Sequence, residues 1–450
     1  MPADSAWLAL ERANNPMTIT VLMRVEGLTA ERLLAFLDTY WLAWERFRCM
    51  PEQRPTGWWW QADPTFALSH HVQVSTEALD ETGLQNWVSA RLNQPLPDYR
   101  PRWKFWLLPN ASGGAALVLR LHHCYADGLS LMGVFDRICT PSPRQAPVLY
   151  GGRERTDLAR WREAAQSWLA ALQAAAGPVT GRIERPPPAT PRARLEKTAF
   201  NGLRLVNEVS QFLVEPEDTP SPLKRSLLGR RVCRWSAPVA LADFRKVARS
   251  TGCTINDVLL ACVTGAVRRL LADSEVTLGD ALVHAAVPVD IRSRLPDGIR
   301  PDPGVLGNYF GTVFVPLPVD GDSPLERLYR VKHETRKLKK SWQPGIAWGL
   351  TGSAAFLPTG WRQPLADMFC RKASAVVSNV PGTTEPRYLA GCRIREQMFW
   401  VPQAGDIGLG ISIVSYAGQV QFGVVADEAI LPEPAAFLGH CQAALAEFQA

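Results

Sequence analysis

The sequence lacks any paired or regularly spaced cysteine motif. Nine cysteines are scattered over the 450 residues, and none forms a CxxC pair. Structural zinc sites and disulfide frameworks both depend on such spacing, so this pattern argues against both and favours a reducing compartment. We therefore expect no bound metal.

Long apolar runs are also missing. No stretch approaches the roughly 20 apolar residues that a membrane-spanning helix requires. The start of the chain has no basic segment followed by an apolar one, so a secretory signal is not expected. We predict a cytoplasmic protein that is at most peripheral to the inner membrane or to lipid inclusions.

Charge is nearly balanced outside one segment. The net charge is +6, and residues 151–235 hold 15 Lys/Arg against 9 Asp/Glu, which accounts for the whole excess. Basic segments of this kind attract nucleic acid, anionic lipid or the phosphates of a cofactor, or they are simply solvated linkers. We expect no nucleic-acid partner.

The order of predicted elements suggests two α/β halves joined by a different middle segment. In the first half, Thr18–Val25 is predicted to be a strand, and Thr29 is predicted to cap a helix. Ala115–Leu121 is predicted to be a strand that is buried on both faces. In the middle, amphipathic helices are predicted over Asp157–Ala176 and Leu195–Val214, separated by the proline tract 185–191. We therefore predict domains over residues 1–145 and 231–450, with a helical and proline-rich crossover over residues 146–230.

The second half resumes the alternation of helices and strands. Leu241–Arg249 is predicted to be a helix ended by Gly252, and Thr254 with Asp257 forms a capping box for the next helix. Further strands are predicted at Ala281–Val289, Gly311–Leu317, Ala373–Val380, Ile411–Tyr416 and Gln419–Val425. The last two flank Ala417-Gly418, a two-residue hairpin signal.

One short segment carries the chemistry: the run from Leu121 to Gly128, in which His122 and His123 follow a buried strand. Adjacent side chains at a strand end point to opposite faces, so one imidazole at most faces a given cavity. Histidine suits proton transfer near neutral pH. Asp127 can hold the following turn, and Gly128 is expected to let the chain turn where a side chain would clash.

Other interpretations of this segment compete. A strand-end histidine is often a satisfied structural group, and two histidines could bind a metal, although adjacent positions point apart and no further ligands are suitably spaced. There is no GxSxG elbow and no phosphate-binding glycine pattern. Cys124 lies on the other face of the segment from His123, which argues against a cysteine nucleophile.

The HHxxxDG pattern at His122–Gly128 resembles that of the coenzyme A-dependent acyltransferase superfamily. An ordered set of further motifs resembles the bacterial wax ester synthase/acyl-CoA:diacylglycerol acyltransferase family over nearly the whole chain. These motifs are Asp4–Glu11, Asn15–Met17, Arg100–Trp103, Asn256-Asp257, Val287–Val289 with Arg292, Gly307-Asn308, Ser378–Gly382 and Phe422–Asp427. The third departs from the family, because Arg102 stands where a leucine is expected.

The resemblance implies a fold and an activity. The fold is α/β (α+β), with two chloramphenicol-acetyltransferase-like domains, each a mixed sheet flanked by helices. The activity is transfer of a fatty acyl group from acyl-CoA, a co-substrate, to a long-chain alcohol or diacylglycerol, with no bound cofactor and no covalent acyl-enzyme. Two alternatives remain: a condensation-like transferase using a carrier-bound acyl group, and a non-catalytic lipid-binding member of the fold.

The resemblance also implies roles for single residues. His123 is the general base, and His122 is a supporting neighbour. Asp127 and Gly128 shape the motif loop. Asn256 lies near the thioester carbonyl, or it is simply a helix cap. Trp103 and the Ser378–Gly382 loop are expected to form scaffold or tunnel wall, and Asp257 belongs to the capping box.

A membrane hypothesis rests on the middle segment. Trp161 and Trp168 share one face of its first predicted helix, within the basic part of the chain. Such a face binds an anionic membrane surface, or it packs between the two halves.

Overall fold

The computed structural model describes residues 2–151 and 216–449, apart from 56, 110, 112–113, 275, 296–299, 303, 340, 342 and 355–358. The predicted crossover helices, the proline tract, Trp161 and Trp168 all lie outside the described residues. The membrane hypothesis built on them therefore stays a prediction.

The described part contains ten α-helices, α1 to α10 in chain order. They are Pro2–Leu10, Ala30–Thr39, Glu81–Leu92, Gly128–Ile138, Leu241–Thr251, Ile255–Ala272, Pro324–Lys339, Gln343–Ala354, Thr359–Cys370 and Pro434–Glu447. None of the helices in these described ranges is long and apolar enough to cross a membrane.

The same ranges contain fifteen strands, β1 to β15. They are Thr18–Val25, Cys49–Arg54, Gly57–Ala62, Val72–Val74, Trp103–Leu108, Ala115–His122, Arg231–Trp235, Val239–Ala240, His284–Asp290, Phe310–Pro316, Ala375–Pro381, Tyr388–Leu389, Cys392–Trp400, Leu409–Tyr416 and Gln419–Asp427.

The first sheet combines strands from both halves of the chain. Its order is β12-β13-β1-β6-β5-β4, antiparallel except for the parallel pair β4–β5. Strand β13, from the second half, pairs with β1, so that Thr20 lies opposite Trp400. No sequence motif predicted this pairing. The division into residues 1–145, 146–230 and 231–450 stays a prediction.

The second sheet is built from the second half alone. Its order is β10-β9-β11-β14-β15-β7, and β8 pairs with β15. Strand β11 runs parallel to both β9 and β14, and the other pairs are antiparallel. A separate hairpin joins β2 and β3. Mixed sheets flanked by helices are the predicted architecture.

Several local predictions are confirmed. Strand β1 has the predicted bounds, and Thr29 caps α2. Thr254 and Asp257 form the capping box at the start of α6. Gly252 ends α5 with a φ of 64°. Ala417 and Gly418 both have positive φ angles, 48° and 76°, as the tight hairpin between β14 and β15 requires.

The candidate site lies where the two sheets meet. Strand β6 ends at His122, in the middle of the first sheet, and its eight residues are all buried, as predicted for a strand covered on both faces. Strand β10 begins at Phe310, on the edge of the second sheet. Helix α1 contributes Trp7 and Leu10 to the wall of a cavity of about 380 Å³, which His123 and Phe310 also line.

Candidate active site

His123 is held in one orientation by backbone and aromatic contacts. The backbone N–H of His123 donates to the backbone carbonyl of Met17 (2.7 Å), the residue before β1. Its ring stacks on Trp7, with 4.1 Å between ring centroids, and lies 5.6 Å from the ring of Phe310. The side chain is only 4% exposed. The imidazole is therefore buried but reaches the cavity wall.

Asn308 fixes the tautomer of His123. The Asn308 Nδ2 donates to Asp4 Oδ1 (2.8 Å) and to the His123 carbonyl (3.0 Å). These two acceptors orient the amide so that its oxygen faces the ring, 2.8 Å from His123 Nδ1. An amide oxygen only accepts, so Nδ1 carries the proton and Nε2 keeps a lone pair. No described residue hydrogen-bonds to that Nε2.

Asp4 anchors this arrangement from helix α1. Its Oδ1 also accepts the backbone N–H of Asn308 (3.0 Å), and its Oδ2 lies 3.6 Å from Arg46. Trp348 in turn donates from its indole nitrogen to the Asn308 carbonyl (2.9 Å). The side-chain amide of Asn308 is thus held by Asp4 and by the His123 carbonyl, and its backbone is held by Asp4 and Trp348.

Burial keeps His123 neutral. Desolvation lowers the pKa of His123 to about 4, although the hydrogen bond to Asn308 opposes this shift. At neutral pH the imidazole is therefore unprotonated and ready to accept a proton. The Nε2 atom of this imidazole can therefore accept a proton from a group that binds in the cavity.

His122 faces a different environment, as the strand alternation predicted. Its Nδ1 accepts the backbone N–H of Cys124 (3.1 Å), and its Nε2 lies 3.3 Å from Glu11 Oε1. Burial lowers the pKa of His122, and Glu11 opposes this. Arg102, the residue that departs from the family pattern, pairs with Glu11 Oε2 at 3.1 Å. The departure thus gives Glu11 a cationic partner.

Asp127 is fully engaged in holding the loop. Its Oδ1 accepts from Arg292 (2.8 Å) and from the Ser130 N–H (2.7 Å), where it caps α4. Its Oδ2 accepts from the Tyr309 N–H (2.7 Å) and again from Arg292 (2.9 Å). These contacts fit a structural role, and they tie the motif loop to the start of β10.

The clash expected at Gly128 is wrong. A Cβ added at Gly128 would meet no heavy atom within 4 Å, and its φ is not in the left-handed region. Gly128 is the first residue of α4 and lines the cavity. A steric clash of its Cβ is therefore not what requires a glycine at this position.

Asn256 does not reach the cavity itself. It is not the helix cap, since Thr254 caps α6. Its Oδ1 accepts from Asn379 Nδ2 (2.9 Å), and Asn379 lines the cavity. Ser378 and Pro381 also line it. They belong to strand β11 and not to a loop, and their role as tunnel wall stays a prediction. Trp103 is buried within the first sheet and donates to the Phe47 carbonyl (2.7 Å), as scaffold would.

The cysteines near the site are not activated. Burial raises the pKa of Cys124 well above its usual value, and it raises the pKa of Cys370 in the cavity wall to about 12. Both thiols are therefore protonated and poor nucleophiles. Within the described ranges, no group of three or more His, Cys, Asp or Glu side chains could hold a metal ion.

Sequence reasoning missed the residues that hold the ring of His123 in place. From the sequence, Asp4 and Asn308 are recognisable only as members of motifs, and no role is predicted for Trp7. Asn308 is 185 positions from His123, and Asp4 is 304 positions from Asn308. No local pattern reports such contacts. The one available signal was that each falls in a segment resembling a family motif.

Comparison with known proteins identifies the family. Residues 1–259 match the wax ester synthase/diacylglycerol acyltransferase catalytic domain, and residues 306–449 match the C-terminal domain of the same family. A protein of Mycobacterium tuberculosis named as a diacylglycerol O-acyltransferase is 31% identical over 381 residues, covering 82% of this chain and 77% of that protein. A second from the same organism is 26% identical and covers 100% and 98%.

Solved structures show the same fold. The wax ester synthase/diacylglycerol acyltransferase from Marinobacter aquaeolei is 21% identical, with a TM-score of 0.64 over 100% of this chain and 98% of that one. The starter condensation domain of rhizomide synthetase is 15% identical, with a TM-score of 0.59 over 99% and 93%. These neighbours confirm the predicted fold class. The chain belongs to the wax ester synthase/diacylglycerol acyltransferase family and is an acyl-CoA-dependent O-acyltransferase.

Proposed function

We propose that this protein transfers a fatty acyl group from acyl-CoA to the hydroxyl of diacylglycerol or of a long-chain alcohol, with His123 as the general base. The observation that carries the proposal is the hydrogen bond from His123 Nδ1 to Asn308 Oδ1. It leaves the lone pair of Nε2 for the substrate, on an imidazole that forms part of the cavity wall.

The reaction proceeds through one tetrahedral intermediate. A hydroxyl is a weak nucleophile at neutral pH until a base removes its proton during attack. His123 Nε2 takes that proton as the oxygen bonds to the thioester carbonyl carbon. When the C–S bond breaks, the imidazolium returns the proton to the departing thiolate. The products are an ester and free coenzyme A.

The low pKa of His123 decides how the proton moves. Because burial lowers that pKa to about 4, a free imidazolium with a full charge would be costly in this site. Proton transfer is therefore concerted with attack, and the charge appears only while the adjacent oxyanion is present. The stacked Trp7 excludes water from one face of the imidazole.

Asn256 acts through its neighbour in this proposal. Its Oδ1 holds one hydrogen of the Asn379 amide, which leaves the rest of that amide for the cavity. Oxyanion-stabilising donors are most effective when they are oriented before the reaction. We assign Asn256 the role of a positioning residue and Asn379 that of a contact to the thioester region.

Purified protein tests the proposal directly. Palmitoyl-CoA is supplied with hexadecanol or 1,2-diolein, thiol release is followed, and the ester is identified by mass. We expect wild type to release thiol with an acceptor present and His123→Ala to lose about 10²- to 10⁴-fold in rate. His333→Ala, which removes an exposed histidine on α7, is the matched control and should keep full activity. Equal rates for wild type and His123→Ala would refute the role of His123.

A further inference from the structure

The lining of the cavity stops at one row of residues in the second sheet. Alternate residues of β9 and β10 line the cavity, as the two-residue period of a strand dictates. The last row that does so consists of Ala286, Phe314 and Val376, and Ala286 pairs with both of the others. We call these three residues the rear row. On β10 the rear row lies about 13–14 Å from Phe310, whose ring lies beside that of His123.

The next row on the same strands is polar. Two residues beyond Ala286 on β9 lies His284, which pairs with Pro316 of β10. Ser374 lies on its other side, since the backbone N–H of Ser374 donates to the His284 carbonyl (3.0 Å). His284 is 3% exposed and Ser374 is fully buried. Neither of them lines the cavity, so the lining stops where this polar row begins.

A buried carboxylate joins the two side chains of this row. His284 Nδ1 lies 2.6 Å from Asp218 Oδ1, and the Ser374 hydroxyl donates to Asp218 Oδ2 (2.5 Å). The backbone N–H of His284 donates to both carboxylate oxygens (3.1 and 3.0 Å). We call Asp218, His284 and Ser374 the polar plug. Each oxygen of its carboxylate therefore has more than one hydrogen-bond partner.

Further contacts fix the polar plug to the end of α9. The backbone N–H of Asp218 donates to the Arg371 carbonyl (3.2 Å). The ammonium group of Lys224 donates to the carbonyls of Cys370 (3.2 Å) and Ala373 (2.6 Å). Cys370 is the last residue of α9 and also lines the cavity. The plug is thus held against the same elements that form the rear of the cavity.

An aliphatic chain that fills the rear of the cavity cannot advance past the polar plug without a large cost. Its end would have to displace His284 or Ser374 from Asp218. A buried carboxylate would then lose hydrogen-bond partners, which is strongly unfavourable. Methylene groups offer no hydrogen bond in return.

We propose that the polar plug is the end stop for the aliphatic chain of a substrate, and that it sets the longest chain that the enzyme uses well. This inference rests on the proposed function, in which the reacting groups meet at His123 and an apolar chain extends along the cavity. The chain belongs either to the acyl-CoA or to the acceptor, since both offer the same methylene chemistry. A chain whose methyl end reaches the rear row is accommodated, and further carbons are not.

Two substitutions move the end stop in opposite directions. Ala286→Leu adds apolar atoms to the rear row and shortens the space for a chain, whereas His284→Ala removes an imidazole from the plug and lengthens that space. One arm of the experiment lets lauroyl-, palmitoyl- and docosanoyl-CoA compete for dodecanol. The other arm lets dodecanol, hexadecanol and docosanol compete for lauroyl-CoA. Products are identified by mass.

The expected result is a change in chain-length preference in one arm. In that arm, Ala286→Leu should lower kcat/KM for the longest substrate relative to the shortest by about tenfold, and His284→Ala should raise the same ratio by about tenfold. The other arm should stay within about twofold of wild type. Because the substrates compete for the same enzyme, these ratios do not depend on the fraction of each variant that is folded.

His71→Ala is the matched control. His71 is also a buried histidine, 2% exposed, but it lies outside the cavity lining with its Nδ1 2.8 Å from the Trp103 carbonyl. Its ratios should equal those of wild type. Ratios that are unchanged in both arms overturn the end stop, and so do equal changes in both arms or shifts of both variants in the same direction. Wild type that consumes no acceptor of any length overturns the proposed function instead.

Discussion

His122 and His123 are adjacent in the chain, yet they occupy opposite kinds of environment. His122 lies beside an ion pair, Glu11 with Arg102. His123 lies between aromatic rings and is hydrogen-bonded to a neutral amide, Asn308. A carboxylate partner favours the protonated imidazole, whereas an amide fixes the tautomer without adding charge. The two histidines thus differ in their partners, a carboxylate for His122 and a neutral amide for His123, and the roles proposed for them rest on this difference.

The largest expected effect is on kcat, when His122 and His123 are each replaced by asparagine. His123→Asn should lower kcat by about 10²- to 10⁴-fold, because it removes the proton acceptor. His122→Asn should cost less than about tenfold in kcat, since its ring faces Glu11 rather than the cavity. Steady-state kinetics with palmitoyl-CoA and diolein measure both. Similar losses for the two variants would break the distinction drawn between them.

Acid should destabilise the fold through the buried histidine. The pKa of His123 falls from 6.5 to about 4 on burial, so the unfolded chain binds the proton at a higher pH than the folded chain does. The free energy of unfolding therefore rises with pH between about 4 and 6.5, and the contribution of His123 is lost as pH falls through that window. The loss is on the order of 3 kcal/mol.

Urea unfolding at a series of pH values measures this dependence. Burial also lowers the pKa of His122, so that residue adds to the slope in the same direction. His123→Asn should flatten the slope, and His122→Asn should flatten it further when the two changes are combined. If His123→Asn leaves the slope unchanged, burial is not what keeps that imidazole neutral.

The amide beside His123 should matter less than the imidazole but more than any group beside His122. Asn308→Ala removes the acceptor that fixes the tautomer, a loss of about 1–3 kcal/mol, which corresponds to roughly fivefold to 150-fold in kcat. KM should change little, because Asn308 does not line the cavity. Asp4→Asn, one step farther from the ring, should have a smaller effect. A change confined to KM would contradict this positioning role.

Local features of the fold could be predicted from the sequence, and distant pairings could not. Strand β1 and the capping box at Thr254 follow from side chains within a few residues. The pairing of β1 with β13 joins Thr20 to Trp400, and nothing in either strand specifies the other. The predicted clash at Gly128 was wrong, because no heavy atom lies within 4 Å of a Cβ added there.

The same distinction between local and distant features holds for the candidate site. That His123 rather than His122 faces the cavity could be predicted, because the motif is continuous in sequence and adjacent strand residues point to opposite faces. The orientation of its ring could not, since that depends on Asn308, 185 positions away, which is itself held by Asp4 of the first helix. Asn256 shows the intermediate case: the motif placed it near the cavity, but only the structure shows that Asn379 stands between.

The smallest expected effect concerns Arg102, the departure from the family pattern. Arg102→Leu removes the partner of Glu11 at 3.1 Å, but a partly exposed ion pair contributes only about 0–1 kcal/mol. Arg102 also helps to hold the pKa of Glu11 down: burial raises that pKa, but His122 and Arg102 outweigh burial. We therefore expect the free energy of unfolding, measured with urea at pH 7, to fall by at most about 1 kcal/mol, and kcat to stay within about twofold of wild type.

Glu11→Gln is the control, because it removes the charge on the other side of the same ion pair. If Arg102→Leu lowered kcat as much as Asn308→Ala, the ion pair beside His122 would be coupled to the base, and the separation of the two environments would be wrong.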